Sequence, residues 1–408
     1  MRGLRVVIVD DAPYVSWQGR VHAVNATFHR FAAALLDVRE ADGAPAVERV
    51  VLAAPVRPAV TAPPTLPVDA RVRVVATEPF DGIAGYLRHA PRMTATNLPR
   101  LRAAVAGADV ALLRLPASNG LLAAFVSAAR GIPRVAYVVG SVRDVVAGQE
   151  RHGAGGLAAR AAGAWYDAAT RIAGIRATRI VVGADPAAGG IVSSLVLPSE
   201  IRDRQGEPWP AGPGVLRLVY AGRLAPGKGL EDLLAAVALQ AAGDGPEIRL
   251  DLVGDGPEAA ALASRAAALG IGHRVRFLGH VAEREPYLRL LAAADLFVTA
   301  SPAEGFPKAV LDAMAAGLPV IAVPAGRLAD LAADGATAHG AAILPVRAGD
   351  PRSLADAVGR LAADPGWAMR LRAAGTAFAS SHTLPAEAAR LAAALRGAAG
   401  RGRSQGVS

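Results

Sequence analysis

Only two of the 44 Lys+Arg side chains in this 408-residue chain are lysines, Lys228 and Lys308, and each stands in a loop rich in glycine or proline. A composition that uses arginine almost everywhere has kept a compact ammonium at two places. Such a group approaches a phosphate differently from a planar guanidinium. Lys228 closes the segment Tyr220-Ala221-Gly222-Arg223-Leu224-Ala225-Pro226-Gly227-Lys228-Gly229, with Arg223 five residues before it. Glycines there let the backbone turn tightly against a ligand, and a helix opening near Leu230 aims its first amides at the same place. Two fixed cations could then clamp a diphosphate. The spacing is neither GxxxxGK[ST] nor GxGxxG. Without a ligand the same residues would make an ordinary solvated turn.

Lys308 lies in Ser301-Pro302-Ala303-Glu304-Gly305-Phe306-Pro307-Lys308, ahead of a helix that the sequence predicts from about Pro307 to Ala316. Glu304 falls just before that helix and Asp312 two turns inside it. Carboxylates so spaced could grip hydroxyls at two points of one polyol while the helix end faces its phosphates. A capping Glu304 and a solvent-facing Asp312 fit the same letters.

These loops need elements to hold them. Short Val/Ile/Leu runs alternate with alanine-rich stretches of helical period. In the first half they predict strands at Leu4–Val9, Val50–Leu52, Val72–Val75, Val110–Leu113, Val135–Val139 and Ile180–Val182. In the second they predict Leu216–Tyr220, Ile248–Val253, Val275–Leu278, Leu296–Thr299, Val320–Val323 and Ala342–Leu344. Near-continuous apolar strands alternating with helices mark parallel sheets covered on both faces. The expected fold class is therefore α/β, two doubly wound Rossmann-like domains facing a cleft. The first spans residues 1–185, and a Gly- and Pro-rich linker covers 186–214. The second domain spans 215–380, and a terminal helix with a frayed tail covers 381–408. Ligands of such sheets sit outside the carboxyl ends of the strands, where strand order reverses.

Four motifs occur in register: Arg223…Lys228, Val253-Gly254-Asp255-Gly256-Pro257, Phe277-Leu278-Gly279-His280-Val281 and Glu304-Gly305-Phe306-Pro307. Together they resemble the nucleotide-sugar half of retaining glycosyltransferases of the GT-B fold, the large GT4 or glycosyl transferases group 1 family. The resemblance is strong over 215–345 and weak over 1–185. It implies that Arg223 and Lys228, beside Gly222 and Gly254, bind the donor diphosphate. It likewise implies that Glu304 lies near the sugar hydroxyls, with Asp312 on the ribose in place of the family's second Glu, one methylene shorter. Gly305, Phe306 and Lys308 would meet the sugar and phosphates, and His280 the base. Gly19, in Trp17-Gln18-Gly19-Arg20, resembles the glycine loop that reaches the donor from the other domain. The family often carries a histidine near the sugar, and Val139-Gly140-Ser141-Val142-Arg143-Asp144 has none. The activity implied is a nucleotide-sugar-dependent hexosyltransferase with Arg223, Lys228 and Glu304 as its catalytic groups. It would need no cofactor beyond the donor as co-substrate. A relative that keeps the fold as a non-catalytic binding partner is the alternative.

Composition narrows the classes. With no cysteine there is no disulfide framework, thiolate metal site or cysteine nucleophile. The histidines lack metal-type spacing with acids and no DxD motif is apparent, so no metal is expected. No leader and no long apolar run predict a cytoplasmic protein. The net charge of +9 is concentrated in residues 1–200, which carry +7 of it. The arginines there are scattered without aromatic interleaving, so nucleic acid is not an expected partner. An anionic acceptor or a peripheral contact with an anionic membrane is, through arginine-bearing helices such as 156–176. Asp10-Asp11, closing the first strand, reads as a cap for the loop that follows.

Overall fold

The branched runs become strands. The computed structural model describes all residues except 1, 25–27, 64–66, 116, 140–156, 182–189, 205, 211–213, 244, 303–305, 334–336, 338–339 and 406–408. The chain divides into two compact units. The first gathers residues up to 147 with 155–195 and 384–408, and the second is built on 196–383.

In the first unit the strands are β1 (Leu4–Val9), β2 (Tyr14–Trp17), β3 (Arg20–Ala23), β4 (Val47–Pro58), β5 (Val72–Thr77), β6 (Val110–Leu115), β7 (Arg134–Val138) and β8 (Thr178–Val181). The sheet runs β3-β2-β4-β1-β6-β7-β8, with β5 also on β4. Every pairing is parallel except the β2–β3 hairpin. Val7, Ile8 and Val9 are fully buried, as a strand covered on both faces requires. The sequence reading missed β2 and β3, whose four-residue strands mix polar and apolar positions. Gln18 and Gly19, both with positive φ, form their two-residue turn. Gly19 is thus an exposed hairpin tip, and the turn accounts for the glycine without a ligand.

In the second unit the strands are β9 (Val215–Ala221), β10 (Glu247–Val253), β11 (Val275–Gly279), β12 (Leu296–Thr299), β13 (Val320–Ala322) and β14 (Leu344–Pro345). They form an all-parallel sheet in the order β11-β10-β9-β12-β13-β14. Leu218, Leu250, Leu252, Val298 and Ile321 share one core with the helices Leu230–Ala241 and Pro351–Ala363. The helix Lys308–Ala315 ends in a Schellman motif at Gly317, where Leu318 N donates to Ala313 O at 3.0 Å and Gly317 N to Met314 O at 3.1 Å.

The C-terminus departs from expectation. The terminal helix, Leu384–Gln405, takes up most of the segment 381–408, leaving little room for the expected frayed tail, and it belongs to the first unit. Side chains beyond the point where fraying was expected to begin are anchored. Ala398 and Ala399 are buried, and Arg401 donates to Thr178 Oγ1 at 2.9 Å. Upstream, Arg396 pairs with Glu40 at 2.5 Å, and the fully buried Glu387 accepts from Val192 N at 3.0 Å.

Candidate functional site

From β9 the second unit's chain moves one way to β10 and β11, and later the other way from β12 to β13 and β14. Strand order therefore reverses between β9 and β12, which pair directly. The two lysine-bearing loops leave the carboxyl ends of those two strands. This is the place where an open parallel sheet holds a ligand.

Backbone bonds knit the loop after β9 to its neighbours. Gly222 N donates to Val253 O at 2.9 Å, Leu224 N to Asp255 O at 2.9 Å and Glu258 N to Leu224 O at 3.0 Å. Gly254 N donates to Gly279 O at 2.8 Å, bringing in the end of β11. Two glycines make this proximity feasible. A Cβ on Gly254 would stand 1.9 Å from Gly222 O, and one on Gly229 2.3 Å from Ala300 O, just past β12. Both also have positive φ. Gly254, expected near the donor, is thus fixed at least by loop packing. Gly229 seats the base of the Lys228 loop against the segment that leads to Lys308.

Within that loop Tyr220 donates its hydroxyl to Arg223 O at 3.3 Å, and Lys228 N donates to Ala225 O at 3.3 Å. The Arg223 side chain is exposed and has no carboxylate partner among the described residues. His280 is exposed directly after β11.

Lys308 is the first residue of its helix, behind Pro307 as N-cap. No side chain of the cap residue satisfies the first amides and no acid stands in the first turn. A cation at a helix N-terminus opposes the helix dipole, an arrangement that an anion placed there would relieve. The Phe306 ring stacks on Phe378 with centroids 6.0 Å apart, holding the loop just ahead of the helix. Glu304 and Gly305 lie outside the described residues.

Asp312 is not a solvent-facing residue. It is buried and its Oδ1 lies 2.8 Å from Arg284 Nη2. Arg284 also donates to both oxygens of Glu200, at 3.0 and 2.8 Å. Burial pushes the Asp312 carboxyl above its ordinary value, against the pull of Arg284. Burial likewise raises the phenol of Tyr287, which bonds the same carboxyl. Burial alone would lower the Arg284 pKa, but Glu200 and Asp312 together hold it above normal. The carboxylate expected on a ribose therefore already has a cationic partner. Arg284, Glu200 and Tyr287 escaped the sequence reading because partners 84 positions apart leave no local pattern.

The corresponding point of the first unit lies between β1 and β6. Asp10 pairs there with Arg114 at 2.7 Å and accepts from Ala12 N at 3.1 Å, capping the following loop as expected. Asp11 instead reaches the helix Ser118–Ala128, accepting from Ser118 N and, at 3.3 Å, from Asn119 N. Burial pushes its carboxyl up to about 6, although the two amides pull the other way. Asn119 also accepts from Asn97 Nδ2 at 3.0 Å, extending the network. Among the described residues no group of His, Asp and Glu could hold a metal ion.

Two doubly wound sheets, one with cationic loops and a lysine-headed helix at its switch point, define a GT-B type of architecture. Residues 216–364 match the family model described as glycosyl transferases group 1. Among curated proteins, the D-inositol 3-phosphate glycosyltransferase of Nocardia farcinica is 35% identical over 159 residues, 37% of this chain and 34% of that protein. The lipopolysaccharide core biosynthesis glycosyltransferase LpsE of Rhizobium meliloti is 33% identical over 169 residues, 38% of this chain and 47% of the relative. The match thus spans only about a third to a half of these relatives' length. Among solved structures, Anabaena HepE in complex with UDP and glucose superposes with a TM-score of 0.62 at 19% identity, covering 97% of this chain and all of that one. The sucrose-phosphate synthase of Thermosynechococcus elongatus gives 0.65 at 18% identity, covering 97% and 98%. At such identities the likeness is one of fold.

Proposed function

We propose that the chain transfers a sugar from a nucleoside-diphosphate sugar to an anionic or lipid-linked acceptor, with retention of configuration and without a metal. The observation that carries this reading is the second unit's switch point. There a loop with Arg223 and Lys228 adjoins a helix whose N-terminus bears Lys308, behind a proline that offers no side-chain cap. Breaking the bond between sugar and diphosphate leaves negative charge on the phosphate and positive character on the sugar. Arg223, Lys228 and the helix end at Lys308 stabilise that departing anion, and Glu304 holds sugar hydroxyls. The names of the relatives agree with such a reaction. One acts on an inositol phosphate and another in lipopolysaccharide core synthesis, while HepE is described with UDP and glucose. The +7 carried by residues 1–200 suits an acceptor of negative charge.

A second reading, a non-catalytic binding partner, draws on Asp312, whose ion pair with Arg284 competes with a ribose contact. Thermal shift with UDP, GDP and ADP separates the two. Stabilisation by one nucleotide that vanishes in Lys228→Ala supports the donor site, and silence with all three supports the partner. A donor panel with released nucleotide as readout then identifies the sugar.

A further inference from the structure

The first unit carries an apolar groove of about 680 Å³, open to solvent, between the helices Gly82–Arg88, Ala90–Val105, Ser118–Ala128 and Leu157–Ala173. That volume falls in the range of sites for small apolar ligands. Its walls include Leu87, Leu121, Phe125, Trp165, Ile172 and Ile175, and no acidic side chain among the described residues lines it. Four of the eight large apolar side chains most exposed among the described residues meet here. Phe125 is 66% exposed, Ile175 59%, Ile172 53% and Leu87 40%. A soluble surface seldom concentrates exposed apolar groups in one place without something to cover them.

Arginines gather beside the groove, although Asp81 precedes one bordering helix and Asp167 lies within another. Arg134 lies in its wall, where its guanidinium donates to the Ile175 and Ala124 carbonyls at 2.9 and 3.3 Å. Arg88 ends one bordering helix, and Arg130 and Arg176 follow two others. None of the four pairs with a carboxylate among the described residues. Burial, and then the like charge of Arg176, draw Arg134 below its ordinary pKa, as expected of cations that lack a counter-ion. Other arginines of this unit do find acids, as Arg5 does Asp109 and Arg71 does Asp37 and Asp69, whereas Arg30, Arg49 and Arg73 have no such partner among the described residues. An apolar trough rimmed by unneutralised arginines is complementary to lipid tails beneath anionic headgroups.

We infer that this groove docks the protein on an anionic bilayer, with Phe125, Ile172 and Ile175 entering the acyl boundary and Arg88, Arg130, Arg134 and Arg176 meeting lipid phosphates. The inference rests on the acceptor-side reading above, but not on the donor site. It assigns the contact to one surface of four helices, where the sequence pointed only to arginine-bearing helices such as 156–176.

Flotation of the full chain with phosphatidylcholine vesicles, with and without phosphatidylglycerol, tests it. The wild type is expected to float with the anionic vesicles and to be released by salt. Phe125→Ser combined with Ile175→Ser should weaken recovery roughly tenfold or more, and Arg130→Gln combined with Arg176→Gln by a similar factor. These side chains are exposed, so both variants should keep the wild-type melting temperature and nucleotide response. Lost flotation with those readouts intact isolates the groove. Equal recovery on both vesicle types, no recovery of the wild type, or an apolar variant that floats as well as the wild type would overturn the inference. So would a concentration-dependent dimer that the apolar variant abolishes without any vesicle effect, since the groove would then belong to a second copy. A protein that floats as expected but ignores every nucleotide leaves this inference standing and removes the donor site.

Discussion

Both units reverse strand order beside a helix, and they treat that helix end in opposite ways. In the first, the loop after β1 carries Asp10 and Asp11, and Asp11 takes the first two amides of the helix Ser118–Ala128. In the second, the loop after β9 carries Arg223 and Lys228, and the helix Lys308–Ala315 starts with a lysine and no acid in its first turn. On the reading proposed above, one architecture offers an anion seat twice. The first unit fills its seat from within, and the second surrounds its own with positive charge. That choice works against local stability, because a cation at a helix N-terminus opposes the dipole. Departures of this kind from a structural optimum are expected where a ligand restores the balance.

The largest effect should come from breaking the second seat. Lys228→Ala combined with Arg223→Ala should weaken binding of the preferred nucleoside diphosphate roughly a hundredfold by calorimetric titration, with the melting temperature of the free protein unchanged. Asp11→Ala should leave that affinity untouched. If both variants lost it equally, the contrast between the seats would be false. Next in size is Asp312→Ala, which strips Arg284 of one of its two carboxylates in a buried site. A loss of about 2–3 kcal/mol in urea unfolding is expected, below that for an ion left with no partner, because Glu200 remains. Asp312→Glu sharpens the point. If its affinity for nucleotide exceeds that of the wild type, the shorter side chain is what diverts this carboxylate from the ribose.

How much of this could be read beforehand varies with the range of the interaction. Strands such as Leu4–Val9 and Leu296–Thr299 are legible because burial on both faces writes a continuous apolar run. The hairpin of β2 and β3 is not, since Tyr14-Val15-Ser16-Trp17 lies at the sheet's margin and alternates only weakly. The lysine-bearing loops stood out through residue type and their place after strands. The same method left Asp312 open between a polyol contact and solvent, and the resemblance put it on the ribose, whereas it is buried against Arg284. Its burial depends on Arg284, and that in turn on Glu200, contacts that no window of sequence contains. Asp10 was legible as a local cap, whereas Asp11 caps a helix 107 residues away.

The smaller effects belong to the filled seat. Asp11→Ala leaves Ser118 N and Asn119 N without their acceptor, a cap loss worth about 1–2 kcal/mol in unfolding experiments near neutral pH. Asp11→Asn keeps an acceptor and removes the charge, so it isolates the titration. The Asp11 carboxyl is raised to about 6 in the folded protein, so there it holds its proton more tightly than in the unfolded chain. Its contribution is therefore favourable in acid and is lost as the pH climbs through that value. Between about pH 5 and pH 6.5 the loss amounts to about 1 kcal/mol. Comparing wild type with Asp11→Asn by urea unfolding across that window, the difference should move by this amount in favour of the asparagine as the pH rises. A pH-independent difference would mean that the amides of the helix Ser118–Ala128 hold Asp11 fully ionised. The first seat would then be a charge-bearing anion site like the one inferred for the second.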